Sequence, residues 1–165
     1  MYLLHTMPDS AGTAVHIALL ELGQPFLMTV IDREAGAGDQ PEYRELHPWG
    51  QVPALETPDG PIFETAAIRL WLADRHGGGL APAPDSAERG QFLKWLFFTS
   101  TNIHATVMCL FYPNRYTGDP AANPAFLRTY ARRLEDALAR LNQAVSKHPS
   151  WCPPDRPSAA SHSLY

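Results

Sequence analysis

Chemistry in this 165-residue chain is concentrated in a few short stretches. In HPWGQVPAL, Val52-Pro53 opens an apolar run. Proline has no backbone N–H and is tolerated where a strand begins or lies at a sheet edge, so the pair reads as an edge-strand start. Further on, Glu64-Thr65 stands directly before a segment of helical period, TAAIRLWLAD. A helix that starts at Thr65 presents free N–H groups and a partial positive charge, which suits a carboxylate. Simple capping by Thr65 would use the same donors. In TMPDSAGT the central hydroxyl belongs to Ser10, placed to cap the helical run behind it. Residues 92 to 112, FLKWLFFTSTNIHATVMCLFY, form an aromatic and methionine-rich helical stripe, the usual signature of core packing. Cys109 and Cys152 form no CxxC and no metal-ligand spacing, and the seven histidines include no HxxxH pair, so no metal site is expected.

The elements that position these residues follow from pattern and punctuation. Residues 2 to 6 read as a buried strand, 13 to 22 as a helix stopped by Gly23, and 26 to 31 as a second strand. REAGAGDQ reads as a mobile glycine-rich loop, and residues 41 to 46 as a helical turn. Residues 53 to 57 and 61 to 63 make a hairpin around Pro58-Asp59-Gly60, followed by a helix over 65 to 75 and the stop Gly77-Gly78-Gly79. The order is βαβ, then ββα, and the first two strands should be parallel with a right-handed crossover. After the linker LAPAPDSA the character changes to two long helical patterns, 86 to 112 and 124 to 147.

The segment LHPWGQVPALETPDGPIFETAAIRLWLADRHG, Leu46 to Gly77, resembles the hallmark region of the glutathione S-transferase superfamily. The wording GQVPAL is closest to bacterial beta-like members, with serine-type members as the other comparison. The resemblance implies an α/β thioredoxin-like domain over residues 1–80, followed by a shortened all-α domain over 86–165. It implies that the bond before Pro53 is cis and that Val52 pairs with the cysteinyl part of glutathione like an added strand. It places the γ-glutamyl carboxylate on Thr65, with Glu64 on polar groups of the same moiety. Gln51 fits the glycine end of the tripeptide by position, with Arg33 and Arg44 as alternatives within reach.

For the thiol, the resemblance points to the loop after the first strand. Catalytic members hold a thiolate there with a hydroxyl or thiol, and the thiolate is the nucleophile. Ser10 is the catalytic candidate. Aligned to serine-type members it falls at or one residue past the expected position, which Asp9 then occupies. Aligned to beta-type members, Ala11 stands where their cysteine lies. Phe98, Thr101 and Asn102 are expected to line the second-substrate pocket, and His104 reads as a core or interface histidine. The tail DRPSAASHSLY offers Ser158 as a helix cap but Ser161 where the family pattern has Asp, so a shortened helical domain is expected.

The expected function is glutathione binding, with glutathione as cosubstrate, and conjugation of its thiolate to a small electrophile. The alternatives are a non-catalytic binding or regulatory module of the same fold and a glutathione-dependent isomerase of the maleylacetoacetate type. Relatives imply a homodimer. Composition agrees with a globular protein: 45% hydrophobic, 18% charged, formal net charge -4, which argues against a nucleic-acid surface. No apolar run is long enough for a membrane span, and the N-terminus has no basic, leader-like start. A reducing cytoplasm is the expected location.

Overall fold

The computed structural model describes residues 1–147 together with Pro149 and Cys152. Ser158 and Ser161 of the tail pattern lie outside the described residues. Strand β1 (Tyr2–Thr6), helix α1 (Gly12–Glu21) and strand β2 (Phe26–Val30) form the βαβ unit, with β1 and β2 parallel and Leu4 opposite Met28. Helix α2 (Pro41–Leu46) precedes β3 (Ala54–Thr57), which pairs antiparallel with both β1 and β4 (Gly60–Phe63). The sheet order is therefore β2-β1-β3-β4. Helix α3 (Thr65–His76) follows.

Local chemistry sets the boundaries. Gly23 (φ 62°) ends α1 in a Schellman arrangement, with Gln24 N–H donating to Leu19 C=O and Gly23 N–H to Leu20 C=O. Thr57 holds the hairpin turn: its Oγ1 donates to Gly60 C=O at 2.7 Å and accepts from Asp59 N–H at 3.1 Å. The glycine-rich loop contains a 3-10 turn (Ala37–Asp39) tied down by Ala37 N–H to Asp32 C=O and by an Arg44–Asp39 ion pair of 2.7 Å. The loop thus carries internal hydrogen bonds and an ion pair of its own.

The long pattern over 86 to 112 is interrupted. Helix α4 (Arg89–Phe98) passes into a π-helical segment (Thr99–His104) and resumes as α5 (Ala105–Phe111). Two threonine hydroxyls bond back to carbonyls four residues earlier, Thr99 to Trp95 and Thr101 to Phe97, both at 2.8 Å, and such bonds bend helices. A short α6 (Asn114–Thr117) leads to α7 (Asn123–Val145).

One core joins both halves. Leu4, Val15, Leu19, Leu55, Ile68 and Leu72 meet Phe92 and Leu96 of α4, all fully buried. Burying Phe92 and Leu96 contributes about 1.5–3 kcal/mol each. Arg89 clamps the same junction with a two-pronged bond to Asp74, at 2.8 and 2.7 Å, and a third to the Pro82 carbonyl.

Candidate functional site

Parallel strands β1 and β2 end on one side of the sheet, the side where ligands collect in open α/β sheets. There the loop into α1, the approach to β3, the start of α3 and the π-helical segment enclose a cleft of about 110 Å³. Its wall includes Gln51, Val52, Pro53, Glu64 and Thr65, so five residues picked from sequence are brought together.

Each has a local reason for its place. The Val52-Pro53 bond is cis. The first paired residue of β3 is Ala54, so the Val52 peptide lies just beyond the ladder, beside the cleft. Gln51 is held through its carbonyl, which accepts from the Tyr43 hydroxyl at 2.7 Å. Burial pushes that hydroxyl up to about 12, so it stays a donor. Gly50 (φ 62°) lies against Gly38, where an added Cβ would come within 2.2 Å of the Gly38 carbonyl oxygen.

At α3 the structure refines the reading. Glu64 is the N-cap and Thr65 the first helical residue, and no side chain caps the helix. The N–H groups of the first helical turn have no intrahelical partner, and Thr65 and Ala66 carry theirs at the cleft wall. Glu64 adopts φ 72°, ψ 112°, an uncommon conformation for a residue other than glycine, of the kind held at functional sites.

Ser10 stands apart. Its hydroxyl donates to Met7 C=O at 2.7 Å and accepts from Gly12 N–H at 3.2 Å, while Ala11 and Ala14 are the residues of that region that face the cleft. Phe98, Thr101 and Asn102 are likewise not among the cleft's lining residues. The π turn changes the face that the helix presents, and Thr99, Ser100 and His104 line the cleft instead. Phe98 and Asn102 line a separate groove of about 430 Å³ with Arg132, Arg133 and Arg140 of α7. Arg44 is engaged by Asp39 and the Pro48 carbonyl, and Arg33 by the Tyr112 hydroxyl.

Two histidines complete the wall. His47 is 3% exposed, lies tilted against the Phe63 ring with ring centres 4.7 Å apart, and accepts from Trp49 N–H through Nδ1. Desolvation pulls the imidazoles of buried His47 and of His104, which keeps an exposed edge, below the ordinary value of 6.5, and the Glu64 carboxylate opposes this in both. The cleft therefore holds two imidazoles that favour the neutral form, both within the field of one carboxylate. His47 lies in the segment that carries the family resemblance, but the sequence reading gives it no role. Among the described residues no group of three His, Cys, Asp or Glu is disposed to hold a metal. No described helix is long and apolar enough to cross a membrane.

Residues 12–75 match the family described as glutathione S-transferase, N-terminal domain. The chain is similar to Glutathione S-transferase GST-4.5 of Xanthomonas campestris pv. campestris, 31% identical over 145 residues, covering 87% of this chain and 67% of that one. It is 35% identical over 129 residues to elongation factor 1-gamma of Prunus avium, covering 78% of this chain and 29% of that protein. A solved glutathione transferase homologue from Sulfitobacter, with bound glutathione, shares the fold at a TM-score of 0.86 and 20% identity, over 100% of this chain and 79% of that one.

Proposed function

Because the chain belongs to the glutathione S-transferase family, we infer that its cleft binds glutathione and presents the thiolate to small electrophiles. The observation that carries this reading is the convergence of an uncapped helix start, Thr65-Ala66, with the unladdered Val52 peptide and Gln51 on one cleft. The helix start offers donors to the γ-glutamyl carboxylate. Val52 offers strand-like pairing to the cysteinyl residue. Gln51 offers an amide to the glycine end. The sulfur of the attacking thiolate then bonds to the electrophilic carbon, whose leaving group departs with the bonding electrons. Calorimetric titration with glutathione, followed by an aryl-halide conjugation assay, tests both parts. Absence of binding at millimolar glutathione overturns the reading.

Two groups compete for the thiol proton or the thiolate. For Ser10 to donate to sulfur, its hydroxyl must leave the Met7 carbonyl. His104 needs no such exchange: it already lines the cleft, in the neutral form that accepts a proton, with Glu64 to stabilise the imidazolium. His104→Gln is expected to lower turnover roughly tenfold while glutathione affinity stays within about twofold. Because desolvation at the cleft lowers the His104 pKa, the base is neutral at pH 7, and activity should fall on acidification. An acid limb that survives unchanged in His104→Gln removes the assignment. Turnover abolished by Ser10→Ala instead would return the role to Ser10.

A second reading, a binding module without conjugation, is favoured by the engaged Ser10 hydroxyl and by the similarity to a protein named elongation factor 1-gamma. Glutathione binding without turnover across several electrophiles would put this reading first. A cytoplasmic location belongs to either reading, since the glutathione thiol needs a reducing compartment.

A homodimer is also part of the proposal, supported by charge. Residues 1–85 carry twelve Asp and Glu against four Arg, whereas residues 86–147 carry eight Lys and Arg against four Asp and Glu. Arg132, Arg133 and Arg140 form no salt bridge among the described residues. Pairing the basic helical half of one copy with the acidic α/β half of another complements both fields. Sedimentation should show a dimer at micromolar concentration and low salt. Replacing Arg132 and Arg133 by Glu should weaken it by about tenfold or more, as should raising the salt. A wild-type monomer under those conditions, at low salt, contradicts the pairing.

A further inference from the structure

Resting on the cleft reading, we propose that Arg33 and Arg115, gathered around Tyr112, form a binding site for the carboxylate of an anionic electrophile. Arg33 Nη1 donates to the Tyr112 hydroxyl at 3.0 Å, and its guanidinium carbon lies 5.2 Å from the ring centre. The guanidinium of Arg115 lies 4.2 Å from the same centre. Two cations thus share one ring, drawn in by its negative face. An anion that reaches both guanidinium groups would meet two positive charges at once. Among the described residues neither arginine has a carboxylate within salt-bridge distance. Arg33 is flanked in sequence by Asp32 and Glu34, yet its guanidinium goes to Tyr112, while the Asp32 carboxylate accepts from Ala35 N–H. The positive cluster is local, because the half of the chain that contains Arg33 is strongly acidic.

Its place in the fold ties it to the cleft. Arg33 follows the C-terminal end of β2, parallel to β1, whose own C-terminal loop carries Ala11 into the cleft wall. Tyr112 caps the end of α5, eight residues beyond His104 of the cleft. At a helical rise of 1.5 Å per residue this is roughly 12 Å along the axis. The cluster thus lies outside the cleft's own lining, beyond its His104 end, where the end of the electrophile remote from the thiol would lie. Planar guanidinium forks match carboxylate geometry, and both side chains are exposed enough to receive one. The cluster selects, from the electrophiles that the thiolate can attack, those carrying a negative group at the end remote from the reacting carbon.

The test uses a chloronitrobenzoate and its uncharged methyl ester, titrated by calorimetry into the full chain saturated with S-methylglutathione, which fills the cleft without reacting. The wild-type protein should bind the acid about tenfold more tightly than the ester. Arg33→Gln and Arg115→Gln should each erase most of that preference and leave the ester's affinity unchanged, while Arg33→Lys retains part of it. Arg115→Gln serves as the check on folding, since Arg115 is exposed and its guanidinium rests on the face of the Tyr112 ring. Equal binding of acid and ester by wild type overturns the proposal. So does a parallel loss for both probes in the variants, which would make the cluster only a staple between loop and helix. If S-methylglutathione fails to bind but the preference for the acid persists, the glutathione reading falls and the anion site stands. If S-methylglutathione binds and the preference is absent, the outcome is reversed.

Discussion

Glutathione is expected to bind the Thr65→Ala variant roughly ten- to hundredfold more weakly than the wild-type chain. The hydroxyl at the first helical residue of α3 would donate to a carboxylate, and charge-assisted hydrogen bonds of this kind contribute about 1.5–3 kcal/mol. Thermal stability should barely change, because no side chain, that of Thr65 included, caps α3 in the ligand-free structure. This separation distinguishes a ligand contact from a cap, whose removal typically costs about 1 kcal/mol of folding stability. Thr65→Ser keeps the hydroxyl and should keep the affinity. Undiminished binding by Thr65→Ala, or a fall in melting temperature without a fall in affinity, would show that the residue serves the helix and not the tripeptide.

The second large effect should come from Gly50→Ala. Gly50 has φ 62°, in the left-handed region that costs other residues about 1–3 kcal/mol. The added methyl would also lie 2.2 Å from the Gly38 carbonyl oxygen, a backbone atom that cannot swing aside. Together these predict a loss of about 2–4 kcal/mol of stability. Glutathione affinity should fall as well, because Gly50 leads directly into Gln51 and Val52 of the cleft. Gly36→Asn is the matched control: φ is 69°, a Cβ there meets no atom within 4 Å, and asparagine tolerates this conformation. Urea denaturation of both variants measures the difference. Equal stability of Gly50→Ala and Gly36→Asn would remove the Gly38–Gly50 contact as the cause.

Much of this protein is determined by sequence alone, wherever the deciding physics is local. Gly23 and Gly77 stop helices because only glycine enters the left-handed region freely, and both mark ends that the structure places within a residue of the expected position. The hairpin, the parallel βαβ unit and the meeting of Val52-Pro53 with Glu64-Thr65 follow from turn chemistry, strand period and chain handedness. Other features were decided only by tertiary contacts. The aromatic stripe over 92 to 112 reads as one continuous helix, and side-chain spacing carries no sign of where the hydrogen-bond step lengthens. The π segment then exchanged Phe98, Thr101 and Asn102 for Thr99, Ser100 and His104 at the cleft. Ser10 sits in the expected loop, but the direction of its hydroxyl depends on which acceptor the folded loop offers, and that is the Met7 carbonyl. The path of the glycine-rich loop depends on Gly38 and Gly50 meeting backbone to backbone. His47 and His104, 57 residues apart in the chain, share a carboxylate only because the fold brings both near Glu64, where β4 passes into α3. Propensity and pattern act over a few residues, whereas the protonation, orientation and grouping of side chains depend on neighbours that only the folded chain brings together.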